Sequence, residues 1–146
     1  MKAYVFDSAS VCQIAQKNIN EAGLSGQIQV HPGDLFTTPF PTSIDCALFC
    51  HMLTIWSPEK NTSLLKRAYD ALSEGGQVVV FNMMTNDDGS GPISCTLGSV
   101  YFMAIATGKG MLYSWSEQES FLKNAGFKKI TRYVLPNAHG ILRAYK

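Results

Sequence analysis

Several residues that could bind a ligand directly follow segments with the composition of buried strands. Asp7 follows the first such segment, and Gly33, Asp34, Leu35 and Phe36 follow the second. In an open parallel sheet, ligands bind beyond the carboxyl ends of the strands. Two carboxylates there suit the hydroxyl donors of a ribose and the amine of an adenine, and the apolar Leu35-Phe36 pair suits a purine face. The alternative is that Asp7 and Asp34 only cap turns, since Gly-Asp after a strand is a common turn sequence.

A second group of polar residues follows the next two segments. Cys50 and His51 come after the third segment, and Asn82 comes after the fourth. The unperturbed pKa of an imidazole suits general-base chemistry near neutral pH, which makes His51 the candidate catalytic base. The alternative is a histidine packed at a strand–helix junction. His31 and His139 are interpreted as surface residues at strand ends, and the three histidines are too dispersed to indicate a metal site.

The elements that must position these residues alternate between strand and helix patterns. Strands are predicted over residues 3–6, 27–31, 45–50, 78–81, 129–135 and 140–145, with the third buried on both faces. Helices are predicted after Ser10, after Ser57-Pro58, over 97–106, and after Ser114 or Ser116. In the first helix, Val11 and Ile14 belong to the expected inward stripe. The pattern predicts an α/β fold with a mostly parallel sheet and a C-terminal antiparallel hairpin.

Composition excludes several functional classes. The chain has 146 residues, 46% hydrophobic and 16% charged, with a net charge of +1. A single domain with a sizeable core fits this length, and the scattered Lys and Arg residues argue against nucleic-acid or anionic-membrane binding. None of the four cysteines forms a CxxC pair, so we interpret them as reduced and expect a cytoplasmic protein. No segment has the length and apolarity of a membrane span.

Five different short motifs are distributed along almost the whole chain. They are VFD at 5–7, GDLF at 33–36, LTIWS at 53–57, ALSEGG at 71–76 and AGF at 125–127. Their order resembles the core of class I S-adenosylmethionine-dependent methyltransferases. It is most similar to the O-methyltransferase family that includes plant phenolic, acetylserotonin and bacterial small-molecule enzymes.

The resemblance implies S-adenosylmethionine as the cofactor and a three-layer, Rossmann-like sheet with strand order 3-2-1-4-5-7-6. Asp7 would hold the ribose hydroxyls, and Asp34 with Leu35 would flank the adenine. Gly33 and Phe36 complete that motif, and Cys50 stands where the family places a basic residue near the methionine part of the cofactor. Residues 3–6 would be the family's second strand. The first strand and its glycine-rich loop are then missing, and residues 1–146 form one partial catalytic domain.

The resemblance also exposes departures at the catalytic positions. The family motif LHDW, with His as base and Asp as its orienting partner, is Leu53-Thr54-Ile55-Trp56 here. The acidic position at the next strand end is Asn82. We therefore expect either a fragment of a small-molecule methyltransferase or a non-enzymatic relative serving as an interaction or regulatory domain. Another nucleotide-binding α/β domain, such as half of a dehydrogenase, is a weaker third alternative.

The acceptor is expected to be a small molecule. Apolar residues that could line an aromatic or lipophilic pocket include Tyr101, Phe102, Met103 and Ile105, although such residues more often form a core. The resemblance further implies a homodimer for the full-length parent.

Overall fold

The computed structural model describes residues 1–146, which divide into two compact units, residues 1–42 and 43–146. In the first unit, β1 (Ala3–Asp7) and β2 (Ile28–Pro32) form a parallel pair joined through α1 (Ala9–Glu21). The short loops at both ends of α1 fit a compact crossover between parallel strands.

The helix α1 differs from its sequence prediction at its start and on its buried face. Its N-cap is Ser8 rather than Ser10. Cys12 and Ile19 are the buried residues, whereas Val11 is 42% exposed and Ile14 is 64% exposed. The expected inward stripe was wrong at Val11 and Ile14, because the helix packs the face that carries Cys12 against β1. The Cys12 thiol lies 3.4 Å from the carbonyl oxygen of Asp7.

The second unit carries the larger sheet. Its elements in chain order are β3 (Ile44–Cys50), α2 (Pro58–Ala71), β4 (Leu72–Met83), α3 (Ile93–Tyr101), a π-helical turn (Phe102–Ala106), α4 (Trp115–Asn124), β5 (Lys128–Val134) and β6 (His139–Tyr145). The strand order is β3-β4-β6-β5, with β3 and β4 parallel and the other pairs antiparallel. The predicted C-terminal hairpin is confirmed.

The two strand orders agree with the order that the resemblance implies. β2-β1 corresponds to its strands 3-2, and β3-β4-β6-β5 corresponds to 4-5-7-6. No strand of the chain corresponds to strand 1 of that order. The α/β fold class is thereby confirmed.

Only one face of the four-stranded sheet is fully buried. Val78, Val80 and Leu142 are completely inaccessible, as are Leu64 and Leu65 of α2. On β3, however, the exposed and buried residues alternate, and Leu48 is 66% exposed. The prediction that this strand is buried on both faces was wrong, because an apolar composition fits an edge strand covered on one side as well.

Local signals set the helix boundaries of the second unit. Ser57 caps α2, with Pro58 in its first turn, and Ser114 caps α4 with a capping box completed by Glu117. In that box the Ser114 amide donates to Glu117 Oε2 at 2.7 Å. The helix α2 ends at Ala71, and residues 74–76 lie within β4.

The β5–β6 turn has a strained backbone. Asn137 and Ala138 have φ angles of 57° and 61°, which are the positive values that a type I′ turn requires. The Ala138 carbonyl accepts a hydrogen bond of 2.8 Å from the Met84 amide, beyond the end of β4. The turn is therefore held to the neighbouring strand.

The Ala138→Gly substitution is expected to stabilise the chain by about 0.5–1 kcal/mol. Glycine adopts positive φ without a Cβ clash, and this gain exceeds the entropy that glycine adds to the unfolded chain. Thermal unfolding measures the difference. Ala22→Gly is the matched control, because the exposed Ala22 has a φ of −79° and should lose stability as glycine. An unchanged or lower melting temperature for Ala138→Gly would contradict the strained turn.

The four thiols fall into two classes. Cys12 and Cys95 are buried, whereas Cys46 and Cys50 are exposed, and all four are free. No helix combines the length and the apolarity needed to cross a lipid bilayer.

Candidate functional site

The carboxyl ends of β1 and β2 bring the two predicted carboxylate residues to one rim of the first unit. Asp7 pairs with Pro32 in the parallel register, and the Gly33 amide donates to the Asp7 carbonyl at 2.9 Å. Asp7 Oδ1 accepts the Ser8 amide at 2.7 Å, at the start of α1. Asp7 is therefore the last residue of β1 and Asp34 follows β2, so the two lie at the same edge of this strand pair.

Asp34 also organises its own turn. Its Oδ1 accepts the amides of Phe36 at 2.7 Å and Thr37 at 3.0 Å. Its amide donates to Thr38 Oγ1 at 3.0 Å. The capping role that the sequence left open is thus real. It holds the exposed carboxyl group in a fixed orientation at the rim.

Gly33 is required by the protein itself. A Cβ at this position would lie 2.6–2.7 Å from the side chain of Thr38. The need for glycine therefore arises within the turn, whether or not a ligand approaches. Leu35 and Phe36 are half-buried next to this turn.

Three rings pack together in this unit, and His31, which was interpreted as a surface residue, is half-buried among them. Phe6 makes edge contacts with His31 and Phe40, each at 4.9 Å between ring centroids. His31 Nε2 lies 3.0 Å from the Pro39 carbonyl. These contacts fix the loop after β2. Alternation along β1 and β2 could have indicated that Phe6 and His31 lie side by side.

In the second unit, His51 lies at the carboxyl end of β3 in a left-handed conformation. Its φ is 52°, and its amide donates to the Phe81 carbonyl at 2.8 Å. Its ring meets Phe81 edge-on at 4.9 Å and His139 edge-on at 5.2 Å, measured between centroids. Partial burial and, to a lesser degree, the neighbouring His139 lower the pKa of His51. The neutral imidazole, which can accept a proton, is thereby favoured at neutral pH.

His139 is not the isolated surface residue that the sequence suggested. It is half-buried and stacks on Phe81 with ring centroids 5.2 Å apart. The register of β4 with β6 places it opposite Met83, beside the end of β4. No local sequence pattern indicates that register, and so this neighbour of His51 was missed.

Cys50, the remaining predicted cofactor residue, is exposed at the end of β3. Its side chain carries no positive charge, so it cannot form the ion pair that a basic residue at this position would form.

Thr54 and Ile55 stand where the family has a base and its orienting partner. In this structure their hydrogen bonds hold neighbouring segments of the chain in place. Thr54 is 1% exposed, and its hydroxyl donates to the His51 carbonyl at 3.1 Å. Thr107 Oγ1 donates to the Ile55 carbonyl at 2.6 Å. Neither side chain can accept a proton from an acceptor.

The same segment is anchored by buried polar groups. Asn61 Nδ2 donates to the carbonyls of Leu53 and Trp56, at 2.7 Å and 3.2 Å. The Tyr113 hydroxyl donates to the Trp56 carbonyl at 2.7 Å, and burial raises the pKa of Tyr113 to about 12. Tyr113 therefore stays protonated and acts as a fixed donor.

Asn82 lies in the core, one residue before the end of β4. It is completely inaccessible, and its Nδ2 donates to Gln118 Oε1 at 2.8 Å. Gln118 Nε2 in turn donates to the Tyr113 carbonyl at 3.2 Å and contacts Met84 Sδ at 2.9 Å. Asn82 Oδ1 has no hydrogen-bond partner. Both amide nitrogens of the Asn82–Gln118 pair therefore have acceptors, whereas the amide oxygen of Asn82 has no donor.

The apolar residues proposed to line an acceptor pocket are mostly exposed on α3 and the π-helical turn. Met103 is 59% exposed and Ile105 is 74% exposed. A cavity of about 490 Å³ opens between the loop after β4, α3 and α4, and both polar and apolar residues line it.

The residues present fit one part of the cofactor that the resemblance implies. The acceptor groups of Asp7 and Asp34 at one rim match the hydroxyl and amine donors of adenosine. The sequence contains no GxGxG turn, which is the motif whose backbone would approach the methionine part of the cofactor.

Comparison with known proteins identifies the relatives of the chain. A sequence model described as an O-methyltransferase domain matches residues 1–128. L-tyrosine C(3)-methyltransferase of Streptomyces lavendulae is 45% identical, with an alignment covering 100% of this chain and 41% of that protein. The 3-hydroxy-5-methyl-1-naphthoate 3-O-methyltransferase of Streptomyces sahachiroi is 31% identical and covers 97% and 41%.

Solved structures agree with this assignment. The S-adenosylmethionine-dependent methyltransferase SibL in its apo form matches with a TM-score of 0.92 and 39% identity, covering 100% of this chain and 43% of that one. Human N-acetylserotonin methyltransferase in complex with SAM matches with a TM-score of 0.88 and 25% identity, covering 99% and 40%.

The chain thus spans about two fifths of the length of the curated relatives it matches. The family match extends over most of its residues, and the similarity to the tyrosine enzyme extends over all of them. The chain belongs to the O-methyltransferase domain family of S-adenosylmethionine-dependent methyltransferases.

Proposed function

We propose that the chain is the cofactor-binding and catalytic part of a methyltransferase that acts on a small aromatic acceptor. The observation that carries this proposal is that Asp7 and Asp34 lie at the same edge of a parallel strand pair, in a chain of this family. The two compact units would together form one partial catalytic domain.

Asp7 would accept hydrogen bonds from the ribose hydroxyls, and Asp34 from the adenine amine. Leu35 and Phe36 would contact the adenine, Gly33 would keep the turn tight, and Cys50 would lie toward the methionine part. When bound, S-adenosylmethionine supplies an electrophilic methyl group on a sulfonium. The protein's contribution is then to hold donor and acceptor in line, which can lower the barrier substantially without a strong base.

An aromatic acceptor is supported by the relatives' names. They specify L-tyrosine, a hydroxynaphthoate and acetylserotonin, each of which contains an aromatic ring. The predicted catalytic residue His51 would take part in the proton transfer from the acceptor, because it lies exposed at the end of β3 and its lowered pKa keeps the imidazole neutral. A homodimeric parent and a cytoplasmic location belong to this proposal, the latter because all four thiols are free.

One observation favours a second candidate, a non-enzymatic interaction domain. The hydroxyl of Thr54 is buried and committed to the His51 carbonyl, so the family's usual base position carries no base. A chain that retains the fold without transferring methyl groups would fit this replacement.

The deciding experiment uses both the 146-residue chain and a chimera. In the chimera, residues 1–146 replace the matching segment of the Streptomyces lavendulae enzyme, which is 45% identical over this whole chain. Isothermal titration measures S-adenosylmethionine affinity, and mass spectrometry detects methylated phenols and aromatic amino acids. We expect micromolar binding and product formation by the chimera, and weak or no binding by the chain. A folded chimera that binds cofactor but methylates no acceptor would favour the interaction domain.

Replacing Asp7 by alanine in the chimera should weaken cofactor binding by about 2 kcal/mol, or roughly 30-fold, because ribose hydroxyls lose their acceptor. Titration calorimetry measures the dissociation constant. Thermal unfolding measures the stability lost when the Ser8 amide no longer has the Asp7 carboxylate as its acceptor. Glu21→Ala is the control, since Glu21 is an exposed carboxylate in the same unit that faces Lys17. Equal affinities for the two variants would exclude the ribose role of Asp7.

A further inference from the structure

Two histidines that are distant in the sequence meet at the end of the larger sheet. His51 follows β3 and His139 begins β6, and their rings lie 5.2 Å apart at an interplanar angle of 84°. Phe81 on the intervening strand contacts both rings, edge-on to His51 and stacked on His139. The three rings therefore form one cluster across three neighbouring strands, at the edge where ligands of such sheets bind.

The backbone fixes which nitrogen of His139 can accept a proton. Its Nδ1 lies 2.8 Å from the Asn137 carbonyl oxygen. A carbonyl oxygen only accepts hydrogen bonds, so Nδ1 must carry the hydrogen and the neutral ring must hold its lone pair on Nε2. The strained turn at Asn137 and Ala138, held to β4 by the Met84 amide, keeps that carbonyl in place.

We propose that His139 accepts, on Nε2, the proton that a phenolic acceptor loses, and that His51 is the adjacent imidazole that positions it. This inference rests on the proposed function. The acceptor O–H bond breaks with its electron pair left on oxygen, a new N–H bond forms on Nε2, and the ring becomes an imidazolium. With the cofactor bound, the deprotonated oxygen would be the nucleophile that takes the methyl group, and the carbon–sulfur bond of the sulfonium would break with its electron pair left on sulfur.

The residues around His51 and His139 favour a state in which only one of the two imidazoles is protonated. Cys50 precedes His51 on β3, Phe81 and Met83 of β4 carry no charge, and Arg143 lies further along β6, where it donates to Gln77 at 2.6 Å. No carboxylate among these neighbours would hold both rings protonated. Two imidazoles this close repel when both are charged, so protonating one opposes protonating the other.

The first test is an NMR titration of the histidine side chains in the 146-residue chain. Nitrogen-detected spectra should show His139 as the Nδ1–H tautomer. His139→Asn keeps a donor near the Asn137 carbonyl but removes Nε2 and its charge, so it should raise the pKa of His51. The control, Tyr133→Phe, changes an exposed residue of β5 outside the cluster and should leave the titration unchanged. An Nε2–H tautomer, or an unmoved His51 titration in His139→Asn, would overturn the proposal.

The second test is kinetic and uses the chimera with a phenolic acceptor. His139→Asn should lower kcat by about 100-fold, the usual scale of general-base catalysis, with KM changed less than about threefold. It should also remove the acid limb of the kcat–pH profile, which a merely structural defect would not do. Tyr133→Phe, at an exposed residue of β5, should keep both the rate and the profile.

The two readouts separate the possible failures. An active chimera whose rate and pH profile are unaffected by His139→Asn overturns the proton-accepting role. An unsubstituted chimera that is folded but inactive overturns the proposed function and this role together, whereas the NMR titration still decides whether the imidazoles are coupled.

Discussion

The Asn82→Asp variant is expected to lose about 3–5 kcal/mol of unfolding free energy at pH 8 and much less at pH 4. Asn82 is completely buried, and its Nδ2 donates to Gln118 Oε1. A protonated carboxyl could still donate to that oxygen, but a carboxylate would face it with no donor and no countercharge. Gln118 cannot offer its own amide, since Nε2 is engaged by the Tyr113 carbonyl.

The sign of the pH dependence follows from the pKa of the introduced acid. Burial would raise its folded-state pKa above the unfolded value of about 4, so the destabilisation grows as pH rises through that interval. Chemical denaturation at several pH values measures it. Asn86→Asp is the control, because Asn86 is exposed in the loop after β4. A loss that is equal at both pH values would show that the carboxylate finds a partner.

The Gly110→Ala variant is expected to lose about 3 kcal/mol of stability. A Cβ on Gly110 would lie 2.1 Å from the Thr54 carbonyl oxygen and 2.6 Å from the Ile55 carbonyl carbon. These are backbone atoms, so no rotamer change relieves the overlap, and overpacking of this kind is costly. The Thr54–Ile55 segment must move, and Thr54 is the residue that holds the His51 carbonyl.

Thermal unfolding should report this loss as a decrease in melting temperature of roughly 6–12 °C for a chain of this size. Gly26→Ala is the matched control, because nothing lies within 4 Å of its added Cβ. The control should be neutral or slightly stabilising. If the two variants melt at the same temperature, the close approach of Gly110 to residues 54 and 55 is absent in solution.

The sequence predicted those features that depend on nearby residues. Ser57-Pro58 marks the start of α2 and the Ser114–Glu117 box marks the start of α4, because each cap acts within one helical turn. The strand ends that carry Asp7 and Asp34 were also predictable, since residue order alone places the carboxyl ends of parallel strands at one edge.

Features that depend on distant residues were not predictable in the same way. The contact of His51 with His139 requires β6 to pair with β4 in one register, and no local pattern fixes a register between strands 56 residues or more apart. The exposed face of β3 was missed for a related reason. Its apolar residues indicate a strand, but which of them are covered depends on the helices packed against the sheet.

The distribution of thiols supplies a built-in probe of each half of the molecule. Cys12 lies buried in the unit of residues 1–42, and Cys95 lies buried in the unit of residues 43–146. Alkylating reagents should modify Cys46 and Cys50 at once, and each hidden sulfur only when its own unit opens. Mass spectrometry of peptides from a timed labelling reaction can thus follow the local unfolding of both units in a single unsubstituted sample.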